Sequence, residues 1–270
     1  MSTTVTNDEA SQYAFSNAYE RGSQLRLLAE ILDGHTTQVL ADTGIAQGWR
    51  CLDLGPGQGT ITHWMAERVG PTGNVTALDL DPHNVVPADN ITVRADDVRT
   101  CDLPEGHYDL IHTRLVMLHI AERDLVLTRL IAALKPGGLL VVSDWDGTRR
   151  DWMVHAPTEA AGEAFDAFQA GLLAELEAHG ADLGWARRSP VAMVAAGLQD
   201  VETVVHSRLW AGGEPGCLLH LSNSHQMRDA LLARGVTTEQ LDRLAEAMHN
   251  PDTLAYCYWM FTSVGRRAQK

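Results

Sequence analysis

The sequence predicts an α/β fold in which a parallel β-sheet is covered by helices on both faces. Short apolar runs with strand character alternate with helical segments between residues 49 and 146. A glycine-rich turn at residues 55–59 joins the first of these strands to a helix. Carboxylates stand at the ends of several runs, which is where ligands bind in open parallel sheets.

The opening unit consists of a strand, a turn, a helix and a second strand within residues 49–81. The apolar run at 49–54 predicts strand one, and residues 60–69 predict the helix. Glycine and proline at 70–73 end that helix, and residues 74–81 predict strand two. This β-α-β arrangement is typical of a nucleotide site, because a ligand can approach the amino terminus of the helix.

Three more strands and one helix complete the core of the predicted sheet. The acidic pair Asp96-Asp97 stands at the carboxyl end of strand three. Turn residues bound each of the apolar runs. The predicted elements are strand three at 90–96, strand four at 107–114, a helix at 125–134, a turn at 135–138 and strand five at 139–145.

Segments outside this core predict further helices and two closing strands. Two short helices precede strand one, the first ending at Asp33-Gly34 and the second near Gly44. An alanine-rich amphipathic helix at 158–179 is inserted after strand five. The other predicted elements are helices at 190–197 and 238–249 and strands at 200–207 and 256–264.

Composition disfavours several classes of protein. The 270 residues are 45% hydrophobic and carry a formal net charge of -14, which predicts one globular core and disfavours a nucleic-acid partner. The amino terminus has no signal-peptide pattern, and no apolar run reaches the roughly 18 residues of a membrane helix. The prediction is therefore a soluble, cytoplasmic protein without a membrane partner.

Neither cysteine nor histidine spacing predicts a metal site. The four cysteines are far apart and form no C-x-x-C pair, so free thiols are expected and a disulfide framework is not. Among the 12 histidines, His220 and His225 are five apart, which is poor spacing for one helix face. No metal is predicted.

The glycine-rich turn after strand one discriminates among three kinds of ligand. A phosphate-binding loop needs a lysine after its last glycine, but Thr60 follows Gly59. The dinucleotide fingerprint needs a third glycine at position 60 and fails for the same reason. The pattern that remains is D-x-G-x-G-x-G, formed by Asp53, Gly55, Gly57 and Gly59.

This pattern, with four later motifs in the same order, resembles the class I S-adenosylmethionine-dependent methyltransferases. Asp79 stands at the end of strand two, and Asp97-Val98 follow strand three. Residues 108–114 resemble the family's fourth motif, and residues 134–138 resemble its L-K-P-G-G turn. The resemblance implies S-adenosylmethionine as cofactor and S-adenosylhomocysteine as product.

The resemblance also implies a fold. The expected architecture is a Rossmann-like sheet of seven strands in the order 3-2-1-4-5-7-6, with the last strand antiparallel. One domain is expected, with an amino-terminal helical lid at 1–48, a cofactor-binding core at 49–146, and acceptor-pocket insertions with closing strands at 147–270. Residues 197–198 and 265–267 resemble actinobacterial small-molecule methyltransferases.

Roles of individual acids follow from the same resemblance. Asp79 would accept hydrogen bonds from both ribose hydroxyls. Asp97 and the backbone amide of Val98 would bind adenine, and Asp97 is preferred to Asp96 because the apolar Val98 follows it. Asp53 would order the turn near the cofactor's amino group; the alternative is an acid that merely ends a strand.

The amino-terminal segment is expected to fold over the cofactor. Tyr13 or Arg21 would touch the methionine carboxylate, and simple surface placement is the alternative for both. The predicted cofactor-binding residues are Tyr13, Arg21, Asp53, Gly55, Gly57, Gly59, Asp79, Leu80, Asp97, Val98, Thr113 and Arg114.

Residues after strands four and five are candidates for chemistry and for acceptor binding. His119 is the candidate general base, which is needed only when the acceptor must lose a proton early; a packing role is the alternative. Asp144, Trp145 and Trp152 are predicted to contact the acceptor. For Asp146 a solvated turn acid is an equal alternative to substrate binding.

The predicted function is methyl transfer to a small-molecule acceptor, in natural-product biosynthesis. The helix at 158–179 and the segment 212–250 would form the acceptor pocket beside strands four and five. DNA and RNA amino-methylation is disfavoured because residues 113–116 do not match [ND]-P-P-[YFW]. A protein acceptor and a homodimer are left open. The alternative function is a cofactor-binding scaffold reused for a reaction such as cyclisation.

Overall fold

The computed structural model describes residues 18–269, with side chains from residue 22 onward. The chain divides into two compact units. The first unit contains residues 28–148, 183–207 and 258–269. The second contains residues 18–27, 149–182 and 208–257. The single predicted domain with boundaries at 48 and 146 stays a prediction.

Two β-sheets form within the described residues. In chain order the strands are β1 Arg50–Leu54, β2 Asn74–Asp79, β3 Ile91–Ala95, β4 Tyr108–Arg114, β5 Leu134–Asp146, β6 Met153–His155, β7 Leu198–His206, β8 Leu209–Ala211, β9 Leu254–Tyr256 and β10 Trp259–Arg267. The larger sheet has the order β3-β2-β1-β4-β5-β10-β7, and β10 runs antiparallel to both neighbours. Because β7 and β10 are its sixth and seventh strands along the chain, the predicted order 3-2-1-4-5-7-6 is confirmed.

Helices α2 and α8 have the predicted bounds. The helices are α1 Ala18–Asp42, α2 Thr60–Val69, α3 Arg123–Ala133, α4 Glu159–Ala178, α5 Trp185–Ala195, α6 Pro215–Gln226, α7 Arg228–Ala233 and α8 Thr238–His249, with a 3-10 turn at Met117–His119. Local signals explain the agreement, since α8 begins with a capping box of Thr237 and Gln240. Helices α6 and α7 were not predicted.

One continuous helix, α1, stands where two short helices were predicted. The expected break at Asp33-Gly34 was wrong, and Thr37 Oγ1 donates to the carbonyl of Asp33 at 2.8 Å within the helix. A glycine inside a helix costs about 1 kcal/mol. Burial of Leu32 and Leu40, which are 2% and 0% exposed, outweighs that cost at roughly 1.5–3 kcal/mol each.

Three other predicted boundaries also needed correction. The closing strand predicted at 256–264 is divided between β9 in the smaller sheet and β10 in the larger one. Pro190 lies inside α5 and does not begin it, because burial of Trp185 extends the helix toward its amino terminus. The turn predicted at 135–138 belongs to β5, where pairing with β4 is irregular.

The core of the first unit lies on the face of the larger sheet that α1 and α2 cover. Leu40 of α1 and Met65 of α2 pack with Leu110 of β4 and Val141 of β5, and all four are at most 1% exposed. Side chains alternate along a strand, so positions 110, 112 and 114 of β4 share this face. The packing fixes the carboxyl ends of the central strands in place.

The second unit has its own core around His220 of α6. Gln169 of α4 lies 2.9 Å from His220 Nδ1, and the carbonyl of Tyr256 lies 3.1 Å from Nε2. Phe165 packs edge-on against the imidazole. Burial lowers the pKa of His220 to about 4, so the ring is a neutral core residue. The smaller sheet in this unit, β6-β9-β8, was not predicted.

Candidate functional site

The carboxyl ends of β1 to β4 meet at one edge of the larger sheet. These strands are parallel neighbours, and Leu54 pairs with both Leu78 and Thr113 across the strands. Asp79 in turn pairs with Ala95. The segments that follow these residues therefore lie at the same edge, where ligands bind in parallel α/β sheets.

The turn between β1 and α2 is a glycine cradle. Gly55, Gly57 and Gly59 have φ values of 72°, 57° and 79°, a region that other residues rarely adopt. A Cβ atom on Gly55 would lie 2.1 Å from Val116 Cγ2, so no side chain fits there. Gly59 begins α2 without a side-chain cap, which leaves its first backbone N–H groups available to a ligand.

Asp53, directly before the turn, is only 1% exposed. Its Oδ2 accepts a hydrogen bond from Thr62 Oγ1 at 2.6 Å, and its Oδ1 lies 2.8 Å from His112 Nδ1. The first of these bonds ties β1 to the first turn of α2. The predicted role of Asp53 in ordering the turn stays a prediction, and both partner residues were missed by sequence reasoning.

Asp79 and Leu80 offer a carboxylate and an apolar side chain at the end of β2. Asp79 Oδ1 accepts a hydrogen bond from the amide of Asp81 at 3.0 Å, which orients the carboxylate. Leu80 is 67% exposed, although it is a large apolar residue. An acid beside an exposed apolar surface suits a ligand with hydroxyl groups and a flat ring.

Asp97 after β3 is bound by Arg99. The arginine donates to Asp97 from Nε at 3.0 Å and from Nη2 at 2.7 Å, and its backbone amide donates at 2.8 Å. These hydrogen bonds lower the pKa of Asp97. Asp96 is paired in the same way with Arg94 at 2.7 Å, while Val98 is buried. The preference for Asp97 over Asp96 stays a prediction.

The end of β4 is strained and packed. Leu115 has a φ of 58°, which is unusual for a side chain of its size and stores strain next to the turn. Arg114 Nη1 contacts Asp33 and Thr36 of α1, each at 2.9 Å, so it ties β4 to that helix. Thr113 is fully buried.

His119 ends the 3-10 turn that follows β4. The residue as a whole is partly exposed, but burial of its ring, together with the positive charge of Arg123, lowers the pKa of His119 to about 4. The ring is therefore neutral at pH 7. It can accept a hydrogen bond or a proton, as a general base must, but its low pKa makes it a weaker base than ordinary histidine.

The two acids at the end of β5 are buried. Asp144 Oδ2 accepts a hydrogen bond from Trp185 Nε1 at 3.1 Å, and burial raises the pKa of Asp144 to about 8. Asp146 is paired with Arg187 at 2.6 Å and has no exposed side-chain surface. The alternative of a solvated turn acid is therefore wrong for Asp146, because α5 supplies a cation that the linear sequence does not reveal.

The predicted acceptor tryptophans fall in different units. Trp145, in the first unit, packs on Tyr258 with 4.7 Å between ring centroids. Trp152, in the second unit, is 1% exposed. Tyr13 lies outside the described residues, and so does the side chain of Arg21, whose backbone belongs to α1. The acceptor contacts and the amino-terminal lid stay predictions.

His112 is the main site residue that sequence reasoning missed. It lies in the motif at 108–114, and its register partner in β1 is Asp53. An acid at the end of one strand and a histidine at the same level of the next strand would have been a usable signal. Among the residues from 18 to 269, no three His, Cys, Asp or Glu side chains are grouped for metal binding. No helix in this range is long and apolar enough to cross a membrane.

A family model described as a methyltransferase domain matches residues 24–188, which is more than half of the chain. A relative from Pseudoalteromonas translucida, the ubiquinone/menaquinone biosynthesis C-methyltransferase UbiE, is 28% identical over 118 residues. The alignment covers 40% of this chain and 47% of that protein. The chain spans about half the length of the curated relatives it matches, or less.

Solved structures share the fold at low identity. A Haemonchus contortus phosphoethanolamine N-methyltransferase 2, in complex with phosphomonomethylethanolamine and S-adenosylhomocysteine, aligns with a TM-score of 0.58 and 15% identity. The alignment covers 98% of this chain and 61% of that one. The [4+2]-cyclase SpnF aligns with a TM-score of 0.52 and 15% identity, and the alignment covers 87% of this chain and 81% of the SpnF chain. At such identities the likeness shows the fold alone.

Proposed function

The chain belongs to the methyltransferase domain family, and from this premise we propose that it transfers a methyl group from S-adenosylmethionine to a small-molecule acceptor. The observation that carries the proposal is the turn after β1. Its three left-handed glycines lead into an uncapped helix, and the amide of Gly55 donates to the carbonyl of Leu78, directly before Asp79. A ligand in this cradle would meet backbone amides and a carboxylate together.

The residues at this edge fit the parts of S-adenosylmethionine. Asp79 would accept hydrogen bonds from the ribose hydroxyls, and the exposed Leu80 would cover one face of the adenine ring. The amide of Val98 would bind a ring nitrogen, with Asp97 on the exocyclic amine. Gly55 keeps the turn tight, because a Cβ atom there would lie 2.1 Å from Val116 Cγ2. When bound, the cofactor supplies an electrophilic methyl group and is released as S-adenosylhomocysteine.

The protein's own contribution is alignment and the exclusion of water. Methyl transfer is an in-line displacement, so a donor and acceptor held at the correct distance need little further catalysis. A base is required only if the acceptor must lose a proton early. His119, neutral at pH 7, is the residue we assign to that task.

A small natural-product-like acceptor agrees best with the charge of the chain. A net charge of -14 would repel nucleic acid, whose binding needs a basic surface. The relative UbiE is named as a C-methyltransferase of quinone biosynthesis, which makes carbon one acceptor atom to test beside oxygen and nitrogen. The proposal therefore includes a small, natural-product-like molecule as the methyl acceptor.

A cofactor-dependent reaction other than methylation is the second candidate. The cyclase SpnF shares the fold, so the fold by itself does not separate the two functions. The glycine turn, Asp79 at the end of β2 and Asp97 after β3 favour cofactor binding for either function. Transfer of the methyl group distinguishes them.

Two measurements test the proposal in sequence. Isothermal titration calorimetry with S-adenosylmethionine and S-adenosylhomocysteine should show dissociation constants in the micromolar range. If neither ligand gives binding heat at about a hundredfold excess over the protein, every cofactor-dependent function is rejected. Methyl-labelled S-adenosylmethionine should then label a small molecule in a metabolite extract. Binding without any label transfer would favour the reused scaffold.

A further inference from the structure

A buried acid and a buried imidazole form a pair directly below the glycine turn. Asp53 of β1 and His112 of β4 are register partners, and their side chains are 1% and 2% exposed. Asp53 Oδ1 and His112 Nδ1 are 2.8 Å apart. Burial of two such polar groups is costly unless their hydrogen-bonding atoms are satisfied.

Three of the four polar side-chain atoms in this pair are satisfied. Thr62 Oγ1 donates to Asp53 Oδ2 at 2.6 Å, and Oδ1 accepts from His112 Nδ1–H. This second bond sets the tautomer, because a carboxylate can only accept and Nδ1 must therefore carry the proton. With its single ring proton on Nδ1, His112 has an acceptor lone pair on Nε2.

The fourth atom, His112 Nε2, is buried and has no hydrogen-bond partner among the described residues. Such an atom in a folded protein calls for an explanation, and a missing ligand is one of the ordinary ones. An imidazole whose Nδ1–H donates to a carboxylate has a lone pair on Nε2 that is enriched in electron density. Its natural complement is a positively charged hydrogen-bond donor.

The position of the pair shows which part of a ligand would reach it. Asp53 stands two residues before Gly55, and Thr62 lies in the first turn of α2. Arg114, the next residue of β4 on this face, is paired with Asp33, so its positive charge is already balanced. The pair thus places negative charge and an unused acceptor at the start of the turn.

We propose that His112 contacts the cofactor: its Nε2 accepts a hydrogen bond from the α-ammonium group of the methionine part of S-adenosylmethionine. Asp53 is then a positioning residue that acts through His112, since its own oxygens are both engaged. This inference rests on the proposed function. Sequence analysis expected Asp53 to lie near the cofactor's amino group, whereas this inference assigns that contact to His112.

Two neighbouring buried polar atoms of the first unit are poorer candidates for the ammonium contact. The hydroxyl of Thr113 also lacks a hydrogen-bond partner, but adjacent residues of a strand point to opposite faces, so it lies across the sheet from His112. The indole N–H of Trp145 is likewise without a hydrogen-bond partner, yet it is a donor and cannot accept from an ammonium.

A pair of ligands and a pair of variants test the inference by calorimetry. S-Adenosylhomocysteine carries the ammonium, whereas 5′-methylthioadenosine keeps the nucleoside and lacks the amino-acid end. His112→Asn retains an N–H that can donate to Asp53 but removes Nε2. We expect the variant to bind S-adenosylhomocysteine about tenfold more weakly, with unchanged affinity for methylthioadenosine. His249→Ala, at the exposed end of α8, is the matched control for loss of an imidazole.

The outcomes separate this inference from the function on which it rests. Equal loss of affinity for both ligands would assign His112 to the support of the turn and overturn the contact, as would no loss at all. If the wild-type protein binds neither ligand, the proposed function fails as well. If wild type binds both and His112→Asn behaves like wild type, only the contact is rejected.

A spectroscopic measurement on the wild-type protein does not depend on the folding of a variant. In a sample with 15N-labelled histidine, the Nε2 resonance of His112 should move when S-adenosylhomocysteine is added and stay in place with methylthioadenosine. His220, whose two ring nitrogens already have partners, is the internal reference. If the Nε2 chemical shift of His112 does not change at saturating S-adenosylhomocysteine, the proposed contact is wrong.

Discussion

Gly55 and Val116 are packed so closely that a Cβ atom on Gly55 would lie 2.1 Å from Val116 Cγ2. Val116 comes to this position directly after Leu115, whose φ of 58° bends the chain beyond β4. The contact joins the turn after β1 to the segment after β4. A glycine is therefore required at position 55 both by its φ of 72° and by the neighbouring side chain.

Gly55→Ala should destabilise the protein through both effects. An alanine in the left-handed region costs roughly 1–2 kcal/mol, and the forced displacement of Val116 adds about 1–3 kcal/mol. Urea unfolding should therefore show a loss of about 2–5 kcal/mol. Gly106→Ala is the matched control, because Gly106 has a φ of 60° but a Cβ atom there would have no neighbouring atom within 4 Å. Equal losses in both variants would show that Val116 moves freely.

Asp79→Ala should weaken the binding of S-adenosylhomocysteine at least tenfold, because hydrogen bonds from two hydroxyls to a carboxylate are lost. Calorimetry on the purified variant measures this directly. Asp89→Ala removes an exposed acid from the same loop and should bind like wild type. An unchanged affinity in Asp79→Ala would reject the ribose contact.

His119→Ala should slow labelled methyl transfer by about 100-fold or more if the acceptor is deprotonated early, while cofactor binding is retained. The pKa of His119 is about 4, so the wild-type rate should not fall from this group as the pH drops from about 8 to about 5. Only below that range would protonation remove the base. Undiminished transfer in the variant would assign His119 to packing.

Asp144→Asn should stabilise the protein increasingly as the pH rises. The folded-state pKa of Asp144 is about 8 against 3.8 for the free side chain, so unfolding releases a proton between those values. Stability from this group is complete below about pH 4 and is lost as the pH rises through 8. Asparagine stays neutral and can still accept from Trp185.

Urea unfolding of Asp144→Asn should therefore show a gain on the order of 5 kcal/mol at about pH 8 and little at about pH 4. Asp89→Asn, at an exposed position, provides the comparison and should show no such difference. A gain of the same size at both pH values would contradict a neutral Asp144 in the folded protein.

Local pattern was sufficient for the bounds of α2 in the first unit. The bounds of α2 at residues 60 and 69 follow from a glycine before the helix and a glycine after it, and those signals act within a few residues. The order of the sheet followed from the motif resemblance, and the structure confirms it. Burial of the α1 stripe, in contrast, overrode the local signal for a break at Asp33-Gly34.

Spacing along the chain identified the glycine turn and the acids at its edge, because each motif is short and its residues interact with their own neighbours. Tertiary structure decided which of those groups are exposed and which are already bound. Arg187 reaches Asp146 across 41 residues, and His112 reaches Asp53 across 59. Such partners come together only when separate strands and helices pack, and hydrophobic burial, not local pattern, drives that packing.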